Sequence, residues 1–184
     1  TPLMTLHGGP GFLGKGMDTI AGYAVNVGRP AVTYDQIGCG ASSGLKDKPQ
    51  DFWQVDIFVK EFYELINHLG IADNFAISGH SWGGLLAAEI AITQPKGLKA
   101  LILSSPLGDS DTWVAGVKEL LAGMPKEISS VIIQHEEAGT TDNPDYMEAA
   151  LKFYDKHVIR VPMPPDVAAM FEEAMADQYV YNAM

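Results

Sequence analysis

Residues 75–84, Phe-Ala-Ile-Ser-Gly-His-Ser-Trp-Gly-Gly, decide the fold of this 184-residue chain. The first four of them are typical of a short buried strand, and residues 85–92 form an apolar run that is typical of a helix. Residues 79–83 match the pattern G-x-S-x-G, in which a serine lies at a sharp turn between strand and helix. The flanking positions must be small so that neighbouring segments can approach the turn closely. This context predicts Ser81 as a nucleophile.

The same three-position pattern occurs a second time, at residues 40–44. Its serine, Ser42, lies well past the nearest predicted strand (residues 31–34) and is followed by residues 45–49, which are typical of a loop. Ser42 is therefore interpreted as a turn-forming serine, and the strand-to-helix context favours Ser81 as the nucleophile.

Strands and helices alternate along the first part of the chain. Apolar patterns predict strands at residues 2–6, 31–34, 75–78 and 100–104, and helices at residues 58–69 and 85–92. Such alternation is typical of an α/β fold with a mostly parallel sheet and flanking helices. The sequence therefore predicts that residues 1–107 form the N-terminal part of an α/β core.

The pattern changes after Pro106, where strand signals end. Helices are predicted to begin at Asp111, near Pro125, at Asp142 and at Pro165. The charge changes as well: residues 1–108 carry seven basic and nine acidic side chains, whereas residues 109–184 carry five and fourteen. Residues 108–184 are therefore predicted to form an acidic, all-helical cap.

The overall composition excludes several classes of protein. The chain has 12 basic and 23 acidic side chains, a net charge of −11, which argues against a nucleic-acid partner because phosphate recognition needs clustered Lys and Arg. No apolar run approaches the length that crossing a membrane requires. Cys39 is the only cysteine, so an internal disulfide is excluded and a cytoplasmic location is expected.

A glycine-rich loop, residues 7–11 (His-Gly-Gly-Pro-Gly), follows the first predicted strand. Acyl transfer builds negative charge on a carbonyl oxygen, and preorganised backbone N–H groups stabilise that charge. In hydrolases that use the Ser81 type of turn, one donor is the residue after the nucleophile and the other comes from a loop after an early strand. The predicted oxyanion hole therefore consists of the Trp82 N–H and the N–H of Gly9, with Gly8 as an alternative.

A competing interpretation uses the same glycines. Residues 9–14 match the dinucleotide pattern G-x-G-x-x-G, and Asp35 at the end of the next strand is placed to bind a ribose. Pro10 weakens this interpretation because it removes an N–H from a loop that would have to donate N–H groups to a pyrophosphate. A dinucleotide-binding domain also leaves the turn at Ser81 unexplained.

Four segments together resemble the proline iminopeptidase (prolyl aminopeptidase) family of α/β-hydrolases. They are residues 7–11, residues 35–42 (Asp-Gln-Ile-Gly-Cys-Gly-Ala-Ser), residues 79–84 and, in the cap, residues 135–146. The resemblance implies the α/β-hydrolase fold and an enzyme that releases N-terminal residues, often proline, from short peptides through an acyl-enzyme on Ser81. Some members of this family are amino-acid amidases or esterases, and a non-catalytic peptide-binding scaffold is a further alternative.

A substrate with a free N-terminus carries a protonated amine, which carboxylates attract. The resemblance implies cap glutamates for this role, and Glu136 and Glu137 are the candidates, although most acidic side chains of a helix simply face solvent. The expected partner is a small peptide or amino-acid amide. Residues 135–139 (His-Glu-Glu-Ala-Gly) begin like a zinc-binding helix, but Gly139 stands where a second histidine is needed. Neither a metal nor a cofactor is predicted.

The sequence provides no obvious general base. In this fold the nucleophile is followed in the chain by an acid and then a histidine, both on loops after later strands. Beyond Ser81 only His135 and His157 occur, and both fall in the predicted cap rather than after a strand. Family members continue past the cap into further strands that carry the acid and the base. The sequence therefore predicts an incomplete sheet, with the two missing catalytic residues outside this chain.

Overall fold

A computed structural model describes residues 1–42 and 44–184, without the side chains of Asp166 and Met175. Its strands form one parallel sheet in the order β2-β1-β3-β4. The strands are β1 (Leu3–Leu6), β2 (Ala31–Val32), β3 (Phe75–His80) and β4 (Leu98–Ser104). The predicted α/β class and parallel sheet are confirmed, although β2 is shorter and β3 and β4 are longer than their apolar patterns indicated.

Eight α-helices complete the described part of the chain. They are α1 (Asp18–Asn26), α2 (Val55–His68), α3 (Trp82–Ile92), α4 (Ser110–Ala122), α5 (Lys126–Ala138), α6 (Pro144–His157), α7 (Pro165–Ala176) and α8 (Tyr179–Ala183). The sequence analysis missed α1 and α8. Helix α1 shows little amphipathic pattern, because Tyr23 and Val25 are exposed, and α8 is too short for a periodic signal.

Helix α2 packs against the sheet through regularly spaced apolar residues and through an aromatic contact. Helix α2 buries Phe58, Phe62 and Ile66, which recur every four residues and so lie on one face. The Phe62 ring meets that of Phe75 on β3 edge to face, with centroids 5.6 Å apart. Each such fully buried side chain contributes about 1.5–3 kcal/mol of transfer free energy. This packing fixes α2 against the strand that leads to Ser81.

The chain divides into two compact units, and the first contains residues from both ends of the sequence. It comprises Thr1–Leu107 and Asp166–Met184, and the second comprises Gly108–Pro165. The sequence analysis had placed residues 166–184 in the cap. They belong to the first unit because Val180 is buried in the sheet core and the Tyr179 ring packs against Trp53 at 5.8 Å.

The second unit is all-helical in its described residues. Helices α4, α5 and α6 enclose a small separate core formed by Leu121, Met124, Ile132, Ala149 and Phe153. Two of these helices begin with side-chain caps: Asp109 accepts a hydrogen bond from the Thr112 N–H, and Asn143 accepts one from the Asp145 N–H. The predicted helical character of this region is therefore observed, although α6 begins at Pro144, two residues after the predicted start at Asp142.

Strand β4 exposes apolar side chains on both of its faces. Leu101, Ile102 and Leu103 are 38%, 51% and 43% exposed, and consecutive residues of a strand point to opposite faces. Only one edge of β4 is paired, with β3, among the described residues. These exposed apolar side chains therefore lie on a strand with an unpaired edge.

Glu61 on α2 is a partly buried carboxyl group with incomplete hydrogen bonding. Its Oε2 atom and the hydroxyl of Tyr34 are both buried without a hydrogen-bond partner among the described residues. Burial raises the pKa of Glu61 to about 7, and a backbone hydrogen bond from Ile37 opposes this shift only in part. The carboxyl group is therefore held in its neutral form at mildly acidic pH.

We expect Glu61→Gln to flatten the pH dependence of stability. Between the ordinary pKa of 4.5 and about 7, folded Glu61 binds more protons than unfolded Glu61, so wild-type stability falls as the pH rises through this window. The variant stays neutral and should exceed wild type by about 1–2 kcal/mol at pH 8, allowing for solvent screening, and match it at pH 4.5. Urea unfolding at both pH values measures this.

The control is Glu64→Gln, which removes an exposed carboxylate on the same helix that pairs with Lys60 at 3.8 Å. This exposed pair contributes little, so the control should keep the wild-type pH dependence. Equal pH slopes for wild type and Glu61→Gln would contradict the prediction.

Candidate active site

Ser81 lies between the last residue of β3 and the first residue of α3, in a rare backbone conformation. Its φ and ψ are 54° and −121°, a combination that costs a non-glycine residue about 1–3 kcal/mol. Hydrogen bonds hold it there: the Ser81 N–H donates to the carbonyl of Ser104 at 3.0 Å, and its own carbonyl accepts from Gly84 and Leu85. The strained strand-to-helix turn that the sequence predicted is present at this residue.

The glycines around Ser81 are explained by close backbone contacts. An ideal Cβ on Gly79 would lie within 3.0 Å of the Gly83 carbonyl, and one on Gly83 within 3.0 Å of the Leu6 carbonyl at the end of β1. Neither contact leaves space for a side chain, because the neighbouring atoms are backbone. The spacing of the motif is therefore required by the packing of α3 against β1.

The glycine-rich loop after β1 lies beside Ser81. An ideal Cβ on Gly8 would be 3.3 Å from the Cβ of Ser81. Gly9 has a φ of 117°, a conformation that suits glycine, and its peptide bond to Pro10 is cis. The Trp82 N–H is the first of helix α3, where N–H groups have no intrahelical acceptor and the helix dipole is positive. The structure thus brings Gly8 next to Ser81, with Gly9 following it in the loop and Trp82 following Ser81 in the chain.

His7 is buried at the start of this loop, and both of its ring nitrogens are engaged. Nε2 accepts a hydrogen bond from the backbone N–H of Gln36 at 2.9 Å, so the proton lies on Nδ1, which donates to the Gly8 carbonyl at 2.9 Å. Burial lowers the pKa of His7 and favours this neutral ring. His7 therefore orients the loop and has no free nitrogen with which to deprotonate Ser81.

In the first unit, no other described histidine has a side-chain hydrogen bond to Ser81. His80 precedes Ser81, and partial burial lowers its pKa. In the second unit, His135 Nδ1 lies 2.7 Å from the Thr140 hydroxyl, and the His157 ring packs on Phe153 at 4.9 Å. Neither of these two has a carboxylate partner among the described residues. Neither unit by itself assembles a Ser-His-Asp triad among its described residues.

Asp35 has a structural role that the dinucleotide interpretation did not anticipate. One carboxylate oxygen accepts the Gly14 N–H at 2.7 Å and the other accepts the Ala41 N–H at 2.9 Å. Both oxygens are therefore occupied, and one loop N–H that a pyrophosphate would need is already used. The following α-helix begins only at Asp18, whose negative charge would repel a phosphate. The geometry argues against a dinucleotide site here.

Glu136 and Glu137 both lie exposed near the end of α5, in the second unit. Consecutive residues of a helix point about 100° apart, so the two carboxylates face different directions. The Glu136 carboxylate accepts a hydrogen bond from the Tyr146 hydroxyl at 3.5 Å. Their role at the substrate amine is taken up as a proposal below.

Several other features bear on what the site can hold. No group of three His, Cys, Asp or Glu among the described residues could hold a metal ion. The thiol of Cys39 is buried, and burial raises its pKa to about 12, which disfavours the reactive thiolate. Within the described residues, none of the helices is both long enough and apolar enough to cross a membrane.

Sequence reasoning missed Gln36, which is fully buried next to His7 and Trp82. One signal was available in the sequence. Gln36 comes two residues after the predicted strand 31–34, and the binding sites of α/β sheets form beyond the carboxyl ends of parallel strands. A polar side chain at this place in the fold is therefore a candidate for the site.

The chain is similar to known proteins in sequence and in overall fold. A family model described as alpha/beta hydrolase fold matches residues 1–182. A proline iminopeptidase from Heyndrickxia coagulans is 35% identical over 187 residues, which cover 100% of this chain and 62% of that relative. The crystal structure of proline iminopeptidase from Mycobacterium smegmatis has a TM-score of 0.87 and 42% identity, covering 98% of this chain and 60% of that one.

A second solved structure, that of VinJ, has a TM-score of 0.93 and 38% identity, covering 98% of this chain and 61% of that chain. This chain therefore spans about three fifths of the length of each of these three proteins.

We expect Gly83→Ala to destabilise the protein by at least about 2 kcal/mol, because its Cβ would overlap the Leu6 carbonyl and neither backbone segment can move freely. The matched control is Gly116→Ala on α4, where nothing lies within 4 Å of an added Cβ. Alanine there should stabilise the helix by about 0.5–1 kcal/mol. Urea unfolding compares the two, and equal stabilities would contradict the packing argument.

Proposed function

Because the chain belongs to the α/β-hydrolase fold family, we propose that it carries the nucleophile and oxyanion hole of a serine aminopeptidase. The substrate would be a short peptide whose N-terminal residue, preferably proline, is released. The observation that carries this proposal is the strained turn at Ser81, at the start of α3, with Gly8 of the glycine-rich loop beside its Cβ. The similarity of the chain to proteins named proline iminopeptidase supports the choice of substrate.

The proposed reaction proceeds through a covalent acyl-enzyme. The hydroxyl oxygen of Ser81 attacks the carbonyl carbon of the N-terminal residue while a base takes the hydroxyl proton. The carbonyl oxygen becomes an oxyanion, which accepts hydrogen bonds from the N–H groups of Trp82 and Gly9, with Gly8 as the alternative donor. The C–N bond then breaks, the departing amine receives the proton, and water hydrolyses the ester on Ser81.

The base that takes the Ser81 proton is not assigned to His7, because both of its ring nitrogens are engaged. We assign the catalytic acid and the catalytic base to residues in the portion of the relatives' length that this chain does not span. The second unit would contribute substrate selectivity: residues 108–165 carry ten acidic and five basic side chains, which attract a protonated amine. Glu136 and Glu137 are the candidate ligands of that amine.

Two alternative functions use the same residues around Ser81. An amino-acid amidase or esterase would use the same nucleophile and oxyanion hole on a different leaving group. A non-catalytic peptide-binding scaffold is favoured by one observation, namely that His7, beside the turn, has both ring nitrogens engaged away from Ser81. Turnover of prolyl peptides indicates the aminopeptidase, and turnover of prolyl esters indicates the amidase or esterase. Peptide binding without turnover indicates the non-catalytic scaffold.

We expect a fluorophosphonate to label Ser81 slowly in the 184-residue chain. Without a base the serine hydroxyl remains protonated, so the rate should be at least about 100-fold below that of the Mycobacterium smegmatis relative. Ser81→Ala should abolish labelling, whereas Ser42→Ala, at the second pattern match, should leave it unchanged. Mass spectrometry of the labelled peptide gives the site. Rapid labelling of Ser81 would show that a base is present, and labelling of Ser42 would overturn the assignment.

We expect loss of the amine ligand to raise KM selectively. Glu136→Gln and Glu137→Gln remove one negative charge each, and the residue that binds the amine should raise KM for a free N-terminal prolyl peptide by about tenfold. The control is Glu127→Gln in the first turn of the same helix. The measurement is steady-state kinetics of the natural protein that contains these residues. KM is compared between a substrate that carries a free N-terminal amine and one that lacks it. Unchanged KM in both variants would contradict this role.

A further inference from the structure

Gln36 connects the two segments that carry the proposed oxyanion donors. Its side-chain N–H donates to the carbonyl of His7 at 3.0 Å, and its side-chain oxygen accepts from the indole N–H of Trp82 at 2.9 Å. Its backbone N–H donates to the His7 ring at 2.9 Å. All three side chains are buried, so water does not compete for these bonds.

The direction of every bond in this network follows from groups that can only donate. The indole N–H of Trp82 has no acceptor function, so it must face the oxygen of the Gln36 amide. The amide nitrogen of Gln36 then faces the His7 carbonyl, where it donates. The backbone N–H of Gln36 likewise fixes Nε2 of His7 as an acceptor, which leaves Nδ1 to donate to the Gly8 carbonyl. The network has one consistent arrangement.

The network spans the proposed site from both sides. His7 immediately precedes Gly8 and Gly9, and its carbonyl and ring are both held by Gln36. On the other side, the Trp82 side chain belongs to the residue whose backbone N–H is the second donor. Displacing either segment changes the separation between the donors, and oxyanion stabilisation depends on donor positions set within a few tenths of an ångström.

We propose that Gln36 is a positioning residue that holds the Gly8–Gly9 loop and the Trp82 N–H at the spacing an oxyanion requires. This inference rests on the proposed function, because it assumes that Ser81 is the nucleophile. The hydrogen bonds of Gln36 go to His7 and Trp82, and it acts through these two residues. The hydrogen bonds, and not the volume of the side chain, carry this role.

Two variants of Gln36 separate hydrogen bonding from packing. Gln36→Met has a similar volume but removes both side-chain bonds. Gln36→Glu reproduces both bonds when its carboxyl group is protonated, since one oxygen donates and the other accepts. When ionised it can no longer donate to the His7 carbonyl. Each variant is compared with wild type after correction for the folded fraction.

The structural readout is the indole N–H signal of Trp82 in the nitrogen-15 spectrum of the 184-residue chain. We expect Gln36→Met to shift this signal and to speed its hydrogen exchange, because the acceptor is lost. Trp53 is an internal control, since its buried indole N–H has no hydrogen-bond partner among the described residues. An unchanged Trp82 signal in Gln36→Met overturns the linkage.

The functional readout is the inactivation of Ser81 by a fluorophosphonate, whose phosphoryl oxygen occupies the oxyanion position. We expect Gln36→Met to lower the maximal inactivation rate by about 10- to 100-fold while the half-saturating concentration changes less than about twofold. In Gln36→Glu, the rate relative to wild type should recover at low pH and fall as the pH rises. A purely structural role would lower stability without this rate loss in the folded fraction.

The outcomes separate this inference from the proposed function. If wild type shows no Ser81-dependent labelling, both fail. If wild type labels at Ser81, Ser81→Ala does not, and folded Gln36→Met labels like wild type, the proposed function stands and the positioning role of Gln36 is overturned.

Discussion

The close approach of α3 to β1 is the constraint on which the site depends. The backbone of Gly83 lies against the Leu6 carbonyl with no space for a Cβ, and Gly79 lies equally close to Gly83. This contact forces the chain to turn sharply at Ser81, whose positive φ is the local cost of the turn. It also places the loop after β1 beside Ser81, because that loop begins one residue beyond Leu6.

A second, polar constraint complements this steric one. Packing brings three segments together at the carboxyl ends of neighbouring strands, and buried hydrogen bonds among His7, Gln36 and Trp82 then set their relative positions. Buried polar groups favour a unique arrangement when each is satisfied, because any displacement leaves one unpaired. Asp35 acts similarly one residue earlier, where its carboxylate ties Gly14 and Ala41 together.

The sequence predicted best those elements whose signals are local. The parallel α/β sheet and the turn at Ser81 each follow from short patterns of apolar residues or glycine, and α6 begins within two residues of its predicted start at Asp142. Helix α1 and the C-terminal boundary of the cap could not be predicted in the same way. Tyr23 and Val25 obscure the amphipathic pattern of α1, and Val180 returns to the sheet core through contacts with residues more than a hundred positions away.

By itself, the sequence determined the fold class and the strand-to-helix turn at Ser81, since both follow from patterns among residues close in the chain. The tertiary structure showed why Gly83 is needed, because its backbone lies against the Leu6 carbonyl of β1. Only the tertiary structure decided which polar groups are paired. It assigned Asp35 to two loop N–H groups, occupied both nitrogens of His7, and revealed Gln36 between His7 and Trp82. Hydrogen bonds between separate segments depend on distances and directions that exist only after the chain has packed.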